Sequence, residues 1–180
     1  AKVFDFPKPL ELVEKCILIS ADPDSIILDF FAGSCTTAHA VLNLNVRDGG
    51  NRRFVMIQLP EPCDESSDAA KTGFKTIAEI GRERIRLAAS KIMGEYPKNT
   101  CDLGFKAFKL DSSNIRVWNP DRNDLEQSLL DHTEHLVEGR CESDLLYELL
   151  LKRGIDLNVP IEEKNIVGKM EPVEALALVS

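Results

Sequence analysis

Two short apolar runs near the start of the chain bracket a helical pattern. Residues 25–31 read Ser-Ile-Ile-Leu-Asp-Phe-Phe, and residues 53–59 read Arg-Phe-Val-Met-Ile-Gln-Leu. Both are nearly continuous in apolar character, which predicts strands buried on both faces. Residues 36–44 between them are apolar and alanine-containing at helical spacing, and Asp48-Gly49-Gly50-Asn51 closes the unit. Parallel strands need a crossover connection, so strand, helix and strand in this order predict a parallel βαβ unit.

Upstream, Leu10, Val13, Ile17 and Leu18 recur at helical spacing, and Asp22-Pro23-Asp24 predicts a turn. Before them, Pro7 and Pro9 impose extended backbone on a short segment that reads as a linker. Residues 60–71 read as a polar loop with two prolines and four acidic residues. Residues 76–93 predict a long helix with Ile77, Ile80, Leu87, Ala88 and Ile92 on one face. Arg82, Arg84 and Arg86 lie close together on it, flanked by Lys75 and Lys91. They read either as a solvated face paired with Glu79 and Glu83 or as a nucleic-acid contact.

Further on, residues 101–118 predict strand, with Phe105, Phe108 and Leu110 interleaved with Lys106 and Lys109. Composition then shifts: residues 121–148 hold nine acidic and two basic residues. There Leu125, Leu129, Leu136 and Val137 predict one amphipathic helix. A second follows over 144–153, capped by Ser143 and ended by Gly154. Residues 155–159 alternate like a half-buried strand, and 161–180 predict short strands broken at Gly168 and Pro172.

The chain has 180 residues, 43% hydrophobic and 29% charged, an ordinary globular mix. No apolar run approaches the ~20 residues of a membrane span, and the first residues have no apolar leader. The five cysteines, Cys16, Cys35, Cys63, Cys101 and Cys141, are scattered and form no Cys-x-x-Cys. That argues against a disulfide framework or zinc site and for reduced thiols in a cytoplasm. His132 and His135, near Asp131 and Cys141, read as solvated helix histidines rather than metal ligands. The net charge of −8 is not that of a free-standing nucleic-acid binder, so any basic surface must be local or lie elsewhere. Ala1 in place of a methionine, and an apolar run over 175–179, lead us to expect a piece of a longer protein.

Candidate chemistry concentrates at residues 29–37, where the first strand meets the helix. Ligands of open α/β sheets sit at the carboxyl ends of strands, facing helix N-termini. A phosphate-cradling loop needs Gly-x-x-x-x-Gly-Lys-Ser/Thr, and a dinucleotide fingerprint needs Gly-x-Gly-x-x-Gly. Gly33-Ser34-Cys35-Thr36-Thr37-Ala38 supplies one glycine and fits neither. S-adenosylmethionine is the third reading. Asp29 accepts from the ligand ammonium or fixes the turn, and Gly33 allows close backbone approach. Ser34, Thr36 and Thr37 offer hydroxyls. Gln58, at the end of the second strand, stands where a ribose diol is held. His39 reads as packed rather than catalytic, and a hydrolytic triad has no support.

Phe6-Pro7-Lys8-Pro9, followed by Leu28-Asp29-Phe30-Phe31-Ala32-Gly33-Ser34-Cys35-Thr36-Thr37-Ala38-His39, resembles the β-order adenine-specific DNA methyltransferases. In particular it resembles the modification subunit of type III restriction–modification systems. The likeness continues through Gln58-Leu59-Pro60-Glu61, Glu83-Arg84-Ile85, Gly104-Phe105-Lys106 and Leu145-Leu146-Tyr147-Glu148. It implies a partial Rossmann-like, S-adenosylmethionine-dependent methyltransferase sheet, followed by a smaller α+β C-terminal region. We place the cofactor-binding part at 1–118 and the C-terminal region at 119–180. In that family the Phe-Pro-Lys-Pro stretch lines the cofactor pocket. The resemblance therefore adds Phe6, Lys8, Pro9, Phe31, Ala32 and Cys35 to Asp29, Gly33, Ser34, Thr36, Thr37 and Gln58.

Two departures stand out. Cys35 occupies a position where the family has a second glycine. Its Cβ and sulfur are expected to press on the ligand or demand another backbone conformation, at about 1–3 kcal/mol, and so to weaken cofactor binding. The family's Asp/Asn-Pro-Pro-Tyr/Phe motif is absent: Asp22-Pro23-Asp24 and Asn119-Pro120-Asp121 lack its second proline and aromatic residue. The implied activity is methyl transfer to adenine N6 of a base flipped out of DNA. The chain alone, without catalytic residues, is expected to be inactive. The implied partners are DNA through the intact subunit and a restriction subunit, the leucine faces over 121–148 suggest a second copy, and no membrane or metal is implied. Two alternatives are a non-catalytic dimerisation module built on residues 121–148 and a nicotinamide-binding Rossmann domain.

Overall fold

The computed structural model describes residues 7–116, 118, 123–131 and 136–162. The described elements run α1 (Leu10–Ser20), β1 (Ile26–Asp29), α2 (Thr36–Asp48), β2 (Arg53–Met56), α3 (Asp68–Lys71), α4 (Ile77–Glu95), α5 (Leu125–Asp131) and α6 (Glu142–Lys152). Contacts divide the chain into two units, residues 1–107 and 108–180.

In the first unit β1 and β2 pair in parallel, Ile26 opposite Arg53 and Asp29 opposite Met56. The expected βαβ unit is therefore present, with shorter strands. Helix α2 is its centre. Ala38, Ala40, Val41, Leu42 and Leu44 are buried on more than one side of it. Ile17 of α1 packs on Ala40, Val41 and Leu44, while Ile85, Ala88 and Ile92 of α4 pack with Ala38 and Leu42. The small Ala38 and Ala40 allow neighbouring elements close approach.

Polar groups fix the helix ends. Buried Glu14 accepts from Asn43 at 3.0 Å and Arg47 at 2.8 Å, joining α1 to α2. A buried carboxylate requires such partners. Gly49, with φ 72°, ends α2, and the buried Asn45 side chain exchanges two hydrogen bonds with the backbone of Arg52. These set where β2 begins. Thr76 and Glu79 form a reciprocal cap at the start of α4.

The strands are not buried on both faces as their continuous runs predict. Ile27, Phe54 and Met56 face the helices. The opposite face, Ile26, Leu28, Val55 and Ile57, is open; Leu28 is 57% exposed. The cause is one-sided cover, since α1, α2 and α4 all pack on the same side. Other expectations also change. The 60–71 loop contains α3, capped by the Ser67 hydroxyl. Leu87 lies at the edge of the α4 face and is exposed, and Gly81 and Ile85 are buried instead.

The second unit is held largely by polar contacts. Residues 101–116 form no ladder; Ile115 makes one isolated bridge with Leu136. The alternating apolar residues part company: Phe105 packs on the α2–α4 core, Phe108 meets Tyr147 edge-on at 4.9 Å, and Leu110 is exposed. A strand needs a neighbour along its length, and this segment has one for a single residue. Leu136 and Val137 leave the predicted helix because Val137 N–H donates to Asn114 O at 2.8 Å. Glu148 of α6 accepts from Asn114 N–H at 2.7 Å and pairs with Lys152 at 2.6 Å. The Lys152 ammonium foremost, then the Ser113 hydroxyl and the Asn114 N–H, hold its carboxyl pKa down at about 2. Arg140 pairs with Asp111 at 2.9 Å.

Helix α6 is capped by Cys141, whose N–H donates to Asp144 at 3.1 Å, and so starts two residues before the expected Ser143 cap. Gly154, with φ 69°, follows its end as expected. Residues 155–159 are turns rather than strand, because Asp156 accepts from Asn158 N–H at 2.9 Å. The expected strands over 161–180 fall almost wholly outside the described residues, as do His132 and His135. Among the described residues no group of His, Cys, Asp and Glu could hold a metal, and no helix is long and apolar enough to cross a membrane.

Candidate cofactor site

The turn from β1 into α2 is built by bonds from every side. Past the end of the paired strands, Ile57 N–H donates to Asp29 O at 2.8 Å and Ala32 N–H donates to Ile57 O at 3.1 Å. Asp29 closes the turn with its side chain. One carboxylate oxygen accepts from Phe31 N–H at 3.1 Å and the other from the Thr37 hydroxyl at 2.7 Å. Of its two expected roles, the structure shows the turn-fixing one.

Gln58 reaches back from the end of β2. Its side-chain carbonyl accepts from Gly33 N–H at 2.7 Å, which leaves the amide NH2 as its outward chemistry. Ser34 is buried, and its hydroxyl accepts from Arg84 at 2.9 Å. Of the three expected hydroxyls, Ser34 and Thr37 thus serve the turn itself, and Thr36 is buried.

Gly33 and Cys35 both adopt left-handed backbone, with φ 52° and 57°. Cys35 is the one described non-glycine residue to do so. It keeps the backbone region a glycine would favour, at a cost of roughly 1–2 kcal/mol. Its sulfur is buried in the core cluster with Ala32, Ala38 and Ile85, on the side of Gly81. Burial foremost, then the Asp29 charge, pushes the thiol up to about 11 against the opposing pull of Arg84. The group is a neutral thiol at ordinary pH and not a nucleophile.

Helix α2 starts with no side-chain cap. The first N–H groups of such a helix have no intrahelical acceptor and favour a polar or anionic group. Beside the turn, Phe31 is 82% exposed and its ring lies 5.1 Å from that of Phe30. Ala32 is buried beneath. Lys8 and Pro9 are exposed ahead of α1, and among the described residues no hydrogen bond or ion pair joins them to the turn. Phe6 lies outside the described residues.

Arg84 is the residue that sequence reasoning missed. Arg86 pairs with Glu83 and lies over the Phe105 ring, and Arg82 is exposed, but Arg84 points at the turn. The signal was present: Arg84 falls between Gly81 and Ala88 on the buried stripe of α4.

His39, one turn into α2, is partly buried, with Nδ1 buried and unpartnered. Burial, then Arg84 and Lys91, hold its pKa below the ordinary 6.5, while Glu14 opposes them. Above about pH 6.5 the imidazole is neutral in both folded and unfolded chains. As pH falls through that value the unfolded chain takes up the proton first, so stability drops until the folded pKa is reached. We expect a lower melting temperature at pH 5.5 than at pH 7.5, and a smaller difference in His39→Leu. An equal difference in the two chains would contradict this assignment.

The parallel strand–helix–strand unit, with an acid-closed, glycine-containing turn at the carboxyl end of its first strand, is an α/β unit of the kind whose ligands sit at strand carboxyl ends. Residues 1–89 match the DNA methylase family. The chain is 48% identical over 107 residues to the type III restriction-modification enzyme StyLTI Mod subunit of Salmonella typhimurium, covering 59% of this chain and 16% of that protein. Identity to the EcoP15I Mod subunit of Escherichia coli is 36% over 168 residues, covering 92% and 24%. The type II methyltransferase M.KpnI of Klebsiella pneumoniae is 45% identical over 85 residues, covering 47% and 20%. The chain therefore spans a quarter or less of the length of these relatives.

Proposed function

We propose that this chain is the cofactor-binding portion of a DNA methyltransferase that acts on adenine N6 within a type III restriction–modification system. The observation that carries it is the turn itself. Gly33 brings bare backbone to the surface between β1 and an uncapped α2, with Gln58 alongside. S-adenosylmethionine fits that donor set: the helix N–H groups suit its carboxylate, and Gln58 suits its ribose. Bound there, it would supply a methyl group on a sulfonium.

In this reading Asp29, Ala32, Ser34, Cys35, Thr36 and Thr37 shape the turn, and exposed Phe31 offers a face to the adenine ring. Phe6, Lys8 and Pro9 complete the pocket from the preceding segment. Helices from the rest of a Rossmann-like methyltransferase fold would cover the open face of Ile26, Leu28, Val55 and Ile57. Cytoplasmic location and partnership with DNA and a restriction subunit follow from the same reading. The half-exposed leucines of α6, with none of its residues buried, favour a second copy as a further partner. Light scattering tests that point.

Calorimetric titration tests the cofactor assignment. The chain is expected to bind S-adenosylmethionine, to ignore NADH, and to transfer no label to DNA by itself. Because the Cys35 sulfur faces the α4 side, Cys35→Gly is expected to change the cofactor Kd by less than about threefold, the strain being felt in stability instead. Preference for NADH would overturn the reading.

A further inference from the structure

We propose that Arg84 is a positioning residue of the cofactor site, acting through the Ser34 hydroxyl to hold the left-handed pair Gly33 and Cys35 in place. This rests on reading the turn as the methyl-donor site. Two left-handed residues flanking Ser34 form a conformation that persists only when its surroundings over-determine it. Each neighbour holds one point. Gln58 beyond β2 takes Gly33 N–H at 2.7 Å, Ala32 O takes Cys35 N–H at 2.7 Å, and α4 takes Ser34 through Arg84 at 2.9 Å. The Arg84 bond spans 50 residues of sequence. Ser34 is 5% exposed, so its hydroxyl faces protein rather than ligand. No ion pair to Arg84 occurs among the described residues, although its guanidinium is desolvated enough to lower its pKa. Its charge therefore serves the turn rather than a surface pair.

The test is a double-mutant cycle on the 180-residue chain, with Arg84→Met, Ser34→Ala and the pair. Binding of S-adenosylmethionine and hydrogen exchange at the Gly33 and Cys35 amides are both read. Each single variant is expected to weaken binding about tenfold, the scale of one hydrogen bond to a charged group. The pair should be no worse than either single. Exchange at both amides should quicken equally in all three variants, while Arg84→Lys partly restores both readouts and the exposed Arg82→Met changes neither. Additive losses, or unchanged exchange in Arg84→Met, would overturn the clamp. Altered exchange in a chain that binds no S-adenosylmethionine would uphold the clamp and overturn the cofactor reading.

Discussion

Replacing Gly81 by alanine is expected to destabilise the chain, against the usual sign for glycine in a helix. In a helix interior the exchange normally stabilises by roughly 0.5–1 kcal/mol. Here a Cβ at position 81 would stand 2.6 Å from the Cys35 sulfur and 3.1 Å from Gly33 O. Neither neighbour can yield cheaply. The sulfur is buried in the core, and Gly33 O belongs to the turn. Overpacking of this kind costs about 1–3 kcal/mol, so a net loss of ~1–2 kcal/mol remains. For a unit near 100 residues that lowers the melting temperature by roughly 4–16 °C. In a Cys35→Gly background the sulfur is gone and only the milder 3.1 Å approach to Gly33 O remains, so Gly81→Ala should cost less. Thermal melts of the four chains measure the coupling. A stabilised Gly81→Ala chain would show that Cys35 does not occupy the space beside Gly81.

The second large effect is expected from Asp29→Ala. Both carboxylate oxygens are engaged, one by Phe31 N–H and one by the Thr37 hydroxyl. Hydrogen bonds to a charged group contribute about 1.5–3 kcal/mol each, and the part-buried Thr37 hydroxyl loses its acceptor outright. With the solvent-exposed Phe31 bond discounted, a loss of ~2–4 kcal/mol is expected, together with at least tenfold weaker S-adenosylmethionine binding, since the turn opens. Asp29→Asn retains one carbonyl acceptor and should lose about half as much. Urea unfolding and calorimetry read the two quantities separately. If Asp29→Ala lost affinity at unchanged stability, the carboxylate would be a ligand contact rather than a turn lock.

Much of the first unit is legible in the sequence. Continuous β-branched runs around an alanine-containing helix define parallel strands and a crossover, and Gly49 marks the helix end. The bonds inside the turn were not legible. Gln58 was expected to meet the ribose, yet its carbonyl turns inward to Gly33. Arg84 was grouped with its arginine neighbours, because charge clustering along the sequence says nothing about which member faces the core. In the second unit the alternation of Phe105, Phe108 and Leu110 implied a strand that has no partner to form it.

The sequence by itself determined the element order of the βαβ unit, the place of the turn and the glycine position that Cys35 fills. Periodicity, turn chemistry and motif spacing are local properties, and they are written in consecutive residues. Only the tertiary structure decided that one sheet face stays open, that the Cys35 sulfur lodges beside Gly81, and that Arg84 holds Ser34. Each of these depends on contacts between residues far apart in the chain, where packing geometry rather than residue type chooses the partner.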